Sequence, residues 1–299
     1  MSAGKDAGPS HWRLYSLILL MTFLWSVNYI FAKIAVREIP AVLAAGIRTL
    51  VAVVLILPVY LWQYRKTGNL GWTRADVPLL LRLGALGVAL NQAFFVAGIS
   101  QTSVAHAGIM ISLTPILVLL IAASVGQESI GAIKLMGMLL ALGGVLMLQM
   151  APSKAGSARL MGDFLVFLGA LAFAIFTVSG KRVVDKFDKI TMTTFAYAGG
   201  SLMLLPTTLW YSKSFSYANV SWQAWASVLY MSLFSSVLAY LIYYYALSKI
   251  PATRVSAFSY LQPLIATAVA IPALGERPTT SLAFGGSLVL LGVFLAERG

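Results

Sequence analysis

Long apolar runs separated by short polar connectors organise this chain. A helix that crosses a bilayer needs about 20 mostly apolar residues. Runs of that kind fall at 14–36, 41–62, 78–99, 104–125, 131–150, 162–180, 192–211, 224–247, 254–274 and 281–296. The pattern predicts an all-α polytopic membrane protein with ten transmembrane helices. The runs far exceed the roughly 10 residues of a membrane β-strand, which excludes a barrel. The longest connectors, 63–77, 151–161, 181–190 and 212–223, are too short for an extramembrane domain. The first run is too long for a cleaved signal, and Lys33 and Arg37 follow it where a small-residue cleavage site would stand.

Composition removes the soluble alternatives. The chain is 60% hydrophobic and 10% charged, against about 25% charged residues in a soluble domain. A soluble enzyme, a disulfide-built scaffold and a disordered tail are excluded; with no cysteine, thiol chemistry is absent. The net charge is +12, from 21 Lys and Arg against 9 Asp and Glu. In a soluble protein this would suggest nucleic acid. Here the cations lie mainly between apolar runs, where they anchor and orient helices. Nucleic acid is therefore not an expected partner. The expected partners are the lipid bilayer and a small-molecule substrate, with the protein a monomer or loose homodimer. Fourteen cations fall on the side of the N-terminus and six on the other, with Arg48 inside the second run. This bias places both termini in the cytoplasm of a multi-pass protein of the cell inner membrane.

Sliding the chain along itself by 148 residues brings scarce residues into register. Pro58 falls on Pro206, Trp62 on Trp210, Pro115 on Pro263, Glu128 on Glu276 and Lys33 on Lys181, and Gly137 and Gly144 fall on Gly285 and Gly292. These matches predict two five-helix repeats, 14–150 and 162–296, joined by a linker at 151–161. A unit with an odd number of spans must enter its second copy from the opposite side. The halves are then inverted about an axis in the membrane plane, as in many secondary transporters, with a solute site near the midplane. Glu128 is expected near the cytoplasmic face and Glu276 near the outer one. A duplicated scaffold that transports nothing is the competing reading.

Intramembrane polar groups are costly and tend to face a cavity or one another. Trp25, Asn28 and Tyr29 cluster on the first helix, where they either line a site or join helices. On the third, Asn91 and Phe95 share a face with Gln92 beside them, and two adjacent amides at midspan are hard to hide in lipid. On the eighth, Tyr240, Tyr243 and Tyr244 form an aromatic-hydroxyl stripe, which suits either a pocket wall or an interfacial belt. Pro115 and Pro263 sit inside helices four and nine. Each removes a backbone donor, leaves the carbonyls of Ile111 and Ser259 short of a partner, and makes a candidate hinge. Thr114, Tyr260 and Gln262 add polar reach there. Arg48 either snorkels to the headgroups, pairs structurally, or draws anionic groups into the cavity. The glycines at 137, 144, 285 and 292 predict close packing of helices five and ten.

Enzyme signatures are missing, including His-Glu-x-x-His, a Walker loop and Gly-x-Ser-x-Gly; no cofactor or metal is implied. No acid stands at midspan. Transport would be facilitated, or coupled through His106 or a span-end acid: Glu128, Glu276 or Asp163.

The stretch Phe23-Leu24-Trp25-Ser26-Val27-Asn28-Tyr29 resembles the first-helix signature of the EamA family in the drug/metabolite transporter superfamily. So do Leu113-Thr114-Pro115 followed by Glu128, and Leu261-Gln262-Pro263 followed by Glu276; Arg48 resembles the basic residue usual in that family's second helix. The resemblance covers residues 14–296 and implies export of small metabolites, often amino acids, or of drugs. Phe173 and Phe176 stand where the repeat would place Trp25 and Asn28, so the halves differ there. The expected site combines Trp25, Asn28, Tyr29, Asn91, Gln92, Phe95, Thr114, Phe176, Tyr240, Tyr244, Ser259, Tyr260 and Gln262. It suits a zwitterion with an apolar side chain or a lipophilic drug; multidrug or quaternary-cation efflux is the alternative.

Overall fold

The computed structural model describes residues 11–68, 71–149, 160–274 and 280–299. The apolar runs form helices α1 (His11–Ala35), α2 (Ala41–Thr67), α3 (Arg74–Gln101), α5 (Ala132–Gln149), α6 (Leu160–Lys181), α7 (Lys189–Ser212), α8 (Trp222–Lys249) and α10 (Thr280–Arg298). Two runs are interrupted. The run at 104–125 becomes α4 in two arms, Val104–Ile111 and Thr114–Ser124. The run at 254–274 becomes α9, in which Ala252–Ala257 passes through a tight turn at Phe258–Tyr260 into Leu261–Leu274. Among the described residues six helices are long and apolar enough to cross a membrane, and Ala132–Leu148 is a shorter apolar one. Large apolar side chains such as Phe23, Trp62, Leu202, Trp210 and Phe284 are exposed on the outside of the bundle. In water such a surface would be an aggregation hazard; facing lipid it carries no penalty.

Contacts at helix ends define two ends of the bundle. At one, Tyr15 at the start of α1 donates to Glu297, which also pairs with Arg254, and Glu128 pairs with Lys134. At the other, Glu38 accepts from the Ser221 N–H and hydroxyl, both at 2.6 Å. Those donations, the hydroxyl's first, hold the exposed Glu38 carboxyl below the usual carboxylate range.

The 148-residue register reappears as physical contacts. The Lys33 ammonium donates to the carbonyls of Ile99 (2.7 Å) and Thr102 (2.9 Å). The Lys181 ammonium donates to those of Leu247 (2.7 Å) and Ile250 (3.2 Å). Both acceptor pairs are related by the same offset. Each lysine therefore caps a helix C-terminus, α3 or α8, where final carbonyls lack intrahelical donors and the helix dipole favours a cation. Helices α5 and α10 pack antiparallel through the predicted glycines, Gly137 against Gly292 and Gly144 against Gly285. Their backbones approach too closely for a Cβ: one added at Gly137 would lie 2.4 Å from the Ala296 nitrogen.

One feature of the backbone has no counterpart in the apolar pattern. Helices α3 and α8 each widen into a π-helical stretch, Ala85–Leu90 and Met231–Leu238. Such stretches are uncommon and displace the normal i→i−4 ladder. Aromatic donors from other helices serve matching carbonyls in the two. Trp25 Nε1 donates to Ser235 O at 3.0 Å, and Tyr240 donates to Gly87 O at 2.6 Å.

Candidate functional site

The wide turns and the helix breaks surround one central cavity of about 90 Å³. Helix α1 supplies Trp25, Asn28 and Tyr29, and α3 supplies Asn91, Gln92 and Phe95. Thr114 comes from the break in α4, Tyr240 from α8, Ser259 from the turn in α9 and Gln262 from the helix start just after it. Ten of the expected site residues thus line the same space. Arg48, Phe173, Gly169, Ala170, Ile111 and Val166 complete it.

The polar groups are held by specific bonds. Tyr29 donates to Gln262 Oε1 at 2.9 Å, joining α1 to α9. Asn91 Nδ2 donates to Gly169 O at 3.0 Å, and Gln92 Nε2 to the Tyr197 hydroxyl at 3.0 Å. Asn28 Oδ1 and Gln92 Oε1 are buried with no donor among the described residues. Buried amides usually find partners, so two acceptors lacking a donor in one cavity are exceptions to the rule. Trp25 meets Phe173 edge-on at 5.7 Å and Tyr240 at 6.1 Å, giving the cavity an aromatic wall.

Three expected residues do not reach the cavity. Phe176, Tyr244 and Tyr260 are fully buried in the surrounding core and are absent from its lining. Phe176 packs against Gly87 and stacks with Tyr243 at 6.1 Å, so its place in the repeat, opposite Asn28, carries packing instead of polar contact. Tyr243 and Tyr244 are 1% and 0% exposed, which rules out the interfacial belt. The rings of Phe176, Tyr243 and Tyr244 pack against one another, and along α6 and α8 they stand between the residues that line the cavity, Phe173 and Tyr240, and the Lys181 and Lys249 ends of those helices. At those ends a second hollow of about 330 Å³ is lined by Gln127, Glu128, Lys181, Arg182, Lys249, Ile250 and Pro251.

The helix breaks are local. Pro115 lies in the first turn of the second arm of α4, after a residue pair that closes only Ser112 N–H to Gly108 O and Leu113 N–H to Met110 O. Pro263 lies in the first turn after the tight turn of α9. His106 is half-exposed at the capped start of α4, and its Nδ1 lies 3.1 Å from Asp163 Oδ2, while Thr102 donates to the other oxygen of the same carboxylate. Glu128 accepts from Lys134 at 3.2 Å and from the Thr253 N–H and hydroxyl. Glu276 lies outside the described residues. Arg48 is buried at 4% exposure beside the cavity, far from any snorkelling position.

Sequence reasoning placed α6 in the site through Phe176, but missed the residues by which α6 lines it, Val166, Gly169, Ala170 and Phe173. A signal existed: Gly162 and Gly169 stand seven apart, like the glycines of α5 and α10. Both let α6 approach α3, since a Cβ at Gly169 would lie 3.1 Å from Asn91 O. Phe173 was legible as the repeat counterpart of Trp25.

A bundle of long apolar helices enclosing a small, amide-lined central cavity defines a multi-pass membrane protein built for passage of a solute. The comparisons agree. The EamA-like transporter family matches the chain twice, over residues 12–150 and 160–297. The chain belongs to the EamA-like transporter family, and is a membrane transporter and not an enzyme. It is 29% identical, over 95% of its length and 96% of the relative's, to an uncharacterized transporter of Archaeoglobus fulgidus. It is 26% identical, over 75% of its length and 74% of the relative's, to a probable terminal-alkyne amino-acid exporter of Streptantibioticus cattleyicolor. A crystal structure with 16% identity superposes with a TM-score of 0.76, covering 97% of this chain and 98% of the other, and so shares the fold.

Proposed function

We propose that the protein carries small metabolites, amino acids foremost, out of the cell through the inner membrane by alternating access. In this reading ten spans form two inverted five-helix halves, with both termini in the cytoplasm. The observation that carries it is the central cavity: polar enough to hold a zwitterion, and walled by aromatic rings. At about 90 Å³ it is well below the roughly 300–1,000 Å³ of drug-sized sites, which favours a small solute over a bulky lipophilic one. The amino-acid exporter among its relatives supports the substrate class, and the direction of export rests on family resemblance. The antiparallel α5–α10 crossing and the paired lysine caps support the inversion, because an in-plane two-fold axis reverses equivalent helices.

Two measurements test this reading. Purified protein in liposomes is expected to exchange labelled neutral amino acids saturably, and not quaternary ammonium dyes. Flux of the dyes alone would replace the substrate class. For topology, the absence of native cysteine allows single thiols at repeat-equivalent exposed positions. Lys66→Cys and Ser214→Cys are expected to react with an impermeant maleimide from opposite faces in oriented vesicles. Labelling from one face would end the inverted arrangement.

A further inference from the structure

We infer that Arg48 anchors a carboxylate of the transported solute, while the amide oxygens of Asn28 and Gln92 receive its ammonium. The inference rests on the transport reading above and names the solute's charged groups within it.

Among the described residues Arg48 is the one cation lining the central cavity. Its Nε donates to Ser236 Oγ at 3.0 Å, and Ser236 in turn donates to Met231 O within the π-helical stretch of α8. That bond fixes the guanidinium plane. The Nη1 and Nη2 groups have no acceptor among the described residues. The aromatic residues beside Arg48 are Tyr197, which accepts from Gln92, and Tyr240, which donates to Gly87 O; both are neutral phenols and offer no countercharge.

Among the described residues no carboxylate pairs with it. Every acid among the described residues stands at a helix end or in a connector, and the ion pairs there are His106–Asp163, Lys134–Glu128, Lys186–Asp76 and Arg254–Glu297. A buried charge without a partner is strongly unfavourable, and intramembrane charges are retained where they meet an ion or a solute. A guanidinium with two nitrogens to spare presents the planar fork that a carboxylate fills bidentately.

The rest of the cavity supplies the complement. Asn28 Oδ1 and Gln92 Oε1 are acceptors lacking donors, which an ammonium would satisfy. The Trp25 and Phe173 rings offer an apolar surface and a cation–π face. Donor fork, two acceptors and an aromatic wall together match an α-amino acid. They disfavour a solute whose only charge is positive, since Arg48 would repel it.

The test compares each proteinogenic amino acid with its carboxamide and its decarboxylated amine, using thermal stabilisation and titration calorimetry on the purified, detergent-solubilised protein. The best-binding acid is expected to exceed its own amide and amine by on the order of 30-fold or more in affinity. Arg48→Gln should weaken the acid far more than the amide and so remove most of the preference. Arg48→Lys should keep part of the preference. Asn28→Ala should weaken acid and amide alike, because both carry the ammonium. Equal affinity of wild-type protein for acid and amide overturns the inference and spares the transport reading; so does an Arg48→Gln variant of unaltered thermal midpoint that keeps the preference. Should Arg48→Gln fail to fold, the wild-type series decides alone. If no acid, amide or amine binds at all, the substrate class proposed above falls, and this inference with it.

Discussion

Gly144→Ala is expected to destabilise the protein by about 1–3 kcal/mol, the usual range for overpacking a tight contact. Gly143→Ala, one residue away, is expected to leave it unchanged or slightly stabilised. The contrast follows from position on α5. A Cβ at Gly144 would lie 2.6 Å from Gly285 O and 2.8 Å from the Val289 nitrogen, both backbone atoms of α10 that cannot rotate aside. A Cβ at Gly143 meets nothing within 4 Å. There alanine brings only its better helix propensity, about 0.8–1.0 kcal/mol over glycine. A leucine at Gly137 would force the same crossing apart at its other contact and should abolish the monodisperse folded species. The measurement is thermal unfolding in detergent followed by size-exclusion recovery. If Gly143→Ala and Gly144→Ala lose stability equally, glycine flexibility matters at this crossing and close approach does not.

The same crossing shows what the sequence could and could not convey. Glycines seven apart in two segments, related by a fixed offset, predict a small-residue face and a partner with the same face, because only backbone approach needs such a pattern. The helical runs were legible for an equally plain reason: lipid demands long apolar helices, and helix occupies each predicted run, broken in the runs at 104–125 and 254–274. Asn91 and Gln92 were legible as cavity residues because lipid cannot accept them.

The π-helical stretches were not legible. Ala85–Leu90 and Met231–Leu238 are ordinary apolar helix in composition, and the widening becomes intelligible only when Trp25 and Tyr240 are seen to serve its carbonyls. Arg48 was ambiguous for a related reason. A cation two turns inside a helix can reach either headgroups or interior, and the rotation of α2 within the bundle decides which. The tyrosines of α8 divide on the same ground. Tyr240 lines the cavity, and Tyr244 one turn on is buried against Phe176 and Tyr243 outside the lining, a difference of depth that periodicity along one helix does not encode.

Phe176→Ala is expected to have the largest effect of any truncation in the aromatic layer, on both stability and the integrity of the permeation path. The ring is fully buried, with centroids at 5.5 Å from Phe173, 6.0 Å from Tyr240, 6.1 Å from Tyr243 and 5.8 Å from Tyr244. Removing a buried phenylalanine costs about 3–5 kcal/mol when the surroundings cannot collapse. Collapse is hindered here: Gly87, on whose face the ring lies, has no side chain to fill the gap, and the Tyr240 and Tyr243 hydroxyls are tied to Gly87 O and Thr177. The resulting hole would join the central cavity to the hollow at the Glu128 end. The variant should therefore show a lowered thermal midpoint together with a non-saturable leak of small neutral solutes from liposomes. Phe176→Leu, which keeps most of the volume, should restore the seal and much of the stability. Phe173→Ala provides the comparison. That ring is half-buried and lines the cavity itself, so its loss should shift which solutes are exchanged while the vesicles stay tight. A Phe176→Ala protein that transports saturably without leak would mean that the barrier between the two hollows lies elsewhere, in helix packing instead of the aromatic layer.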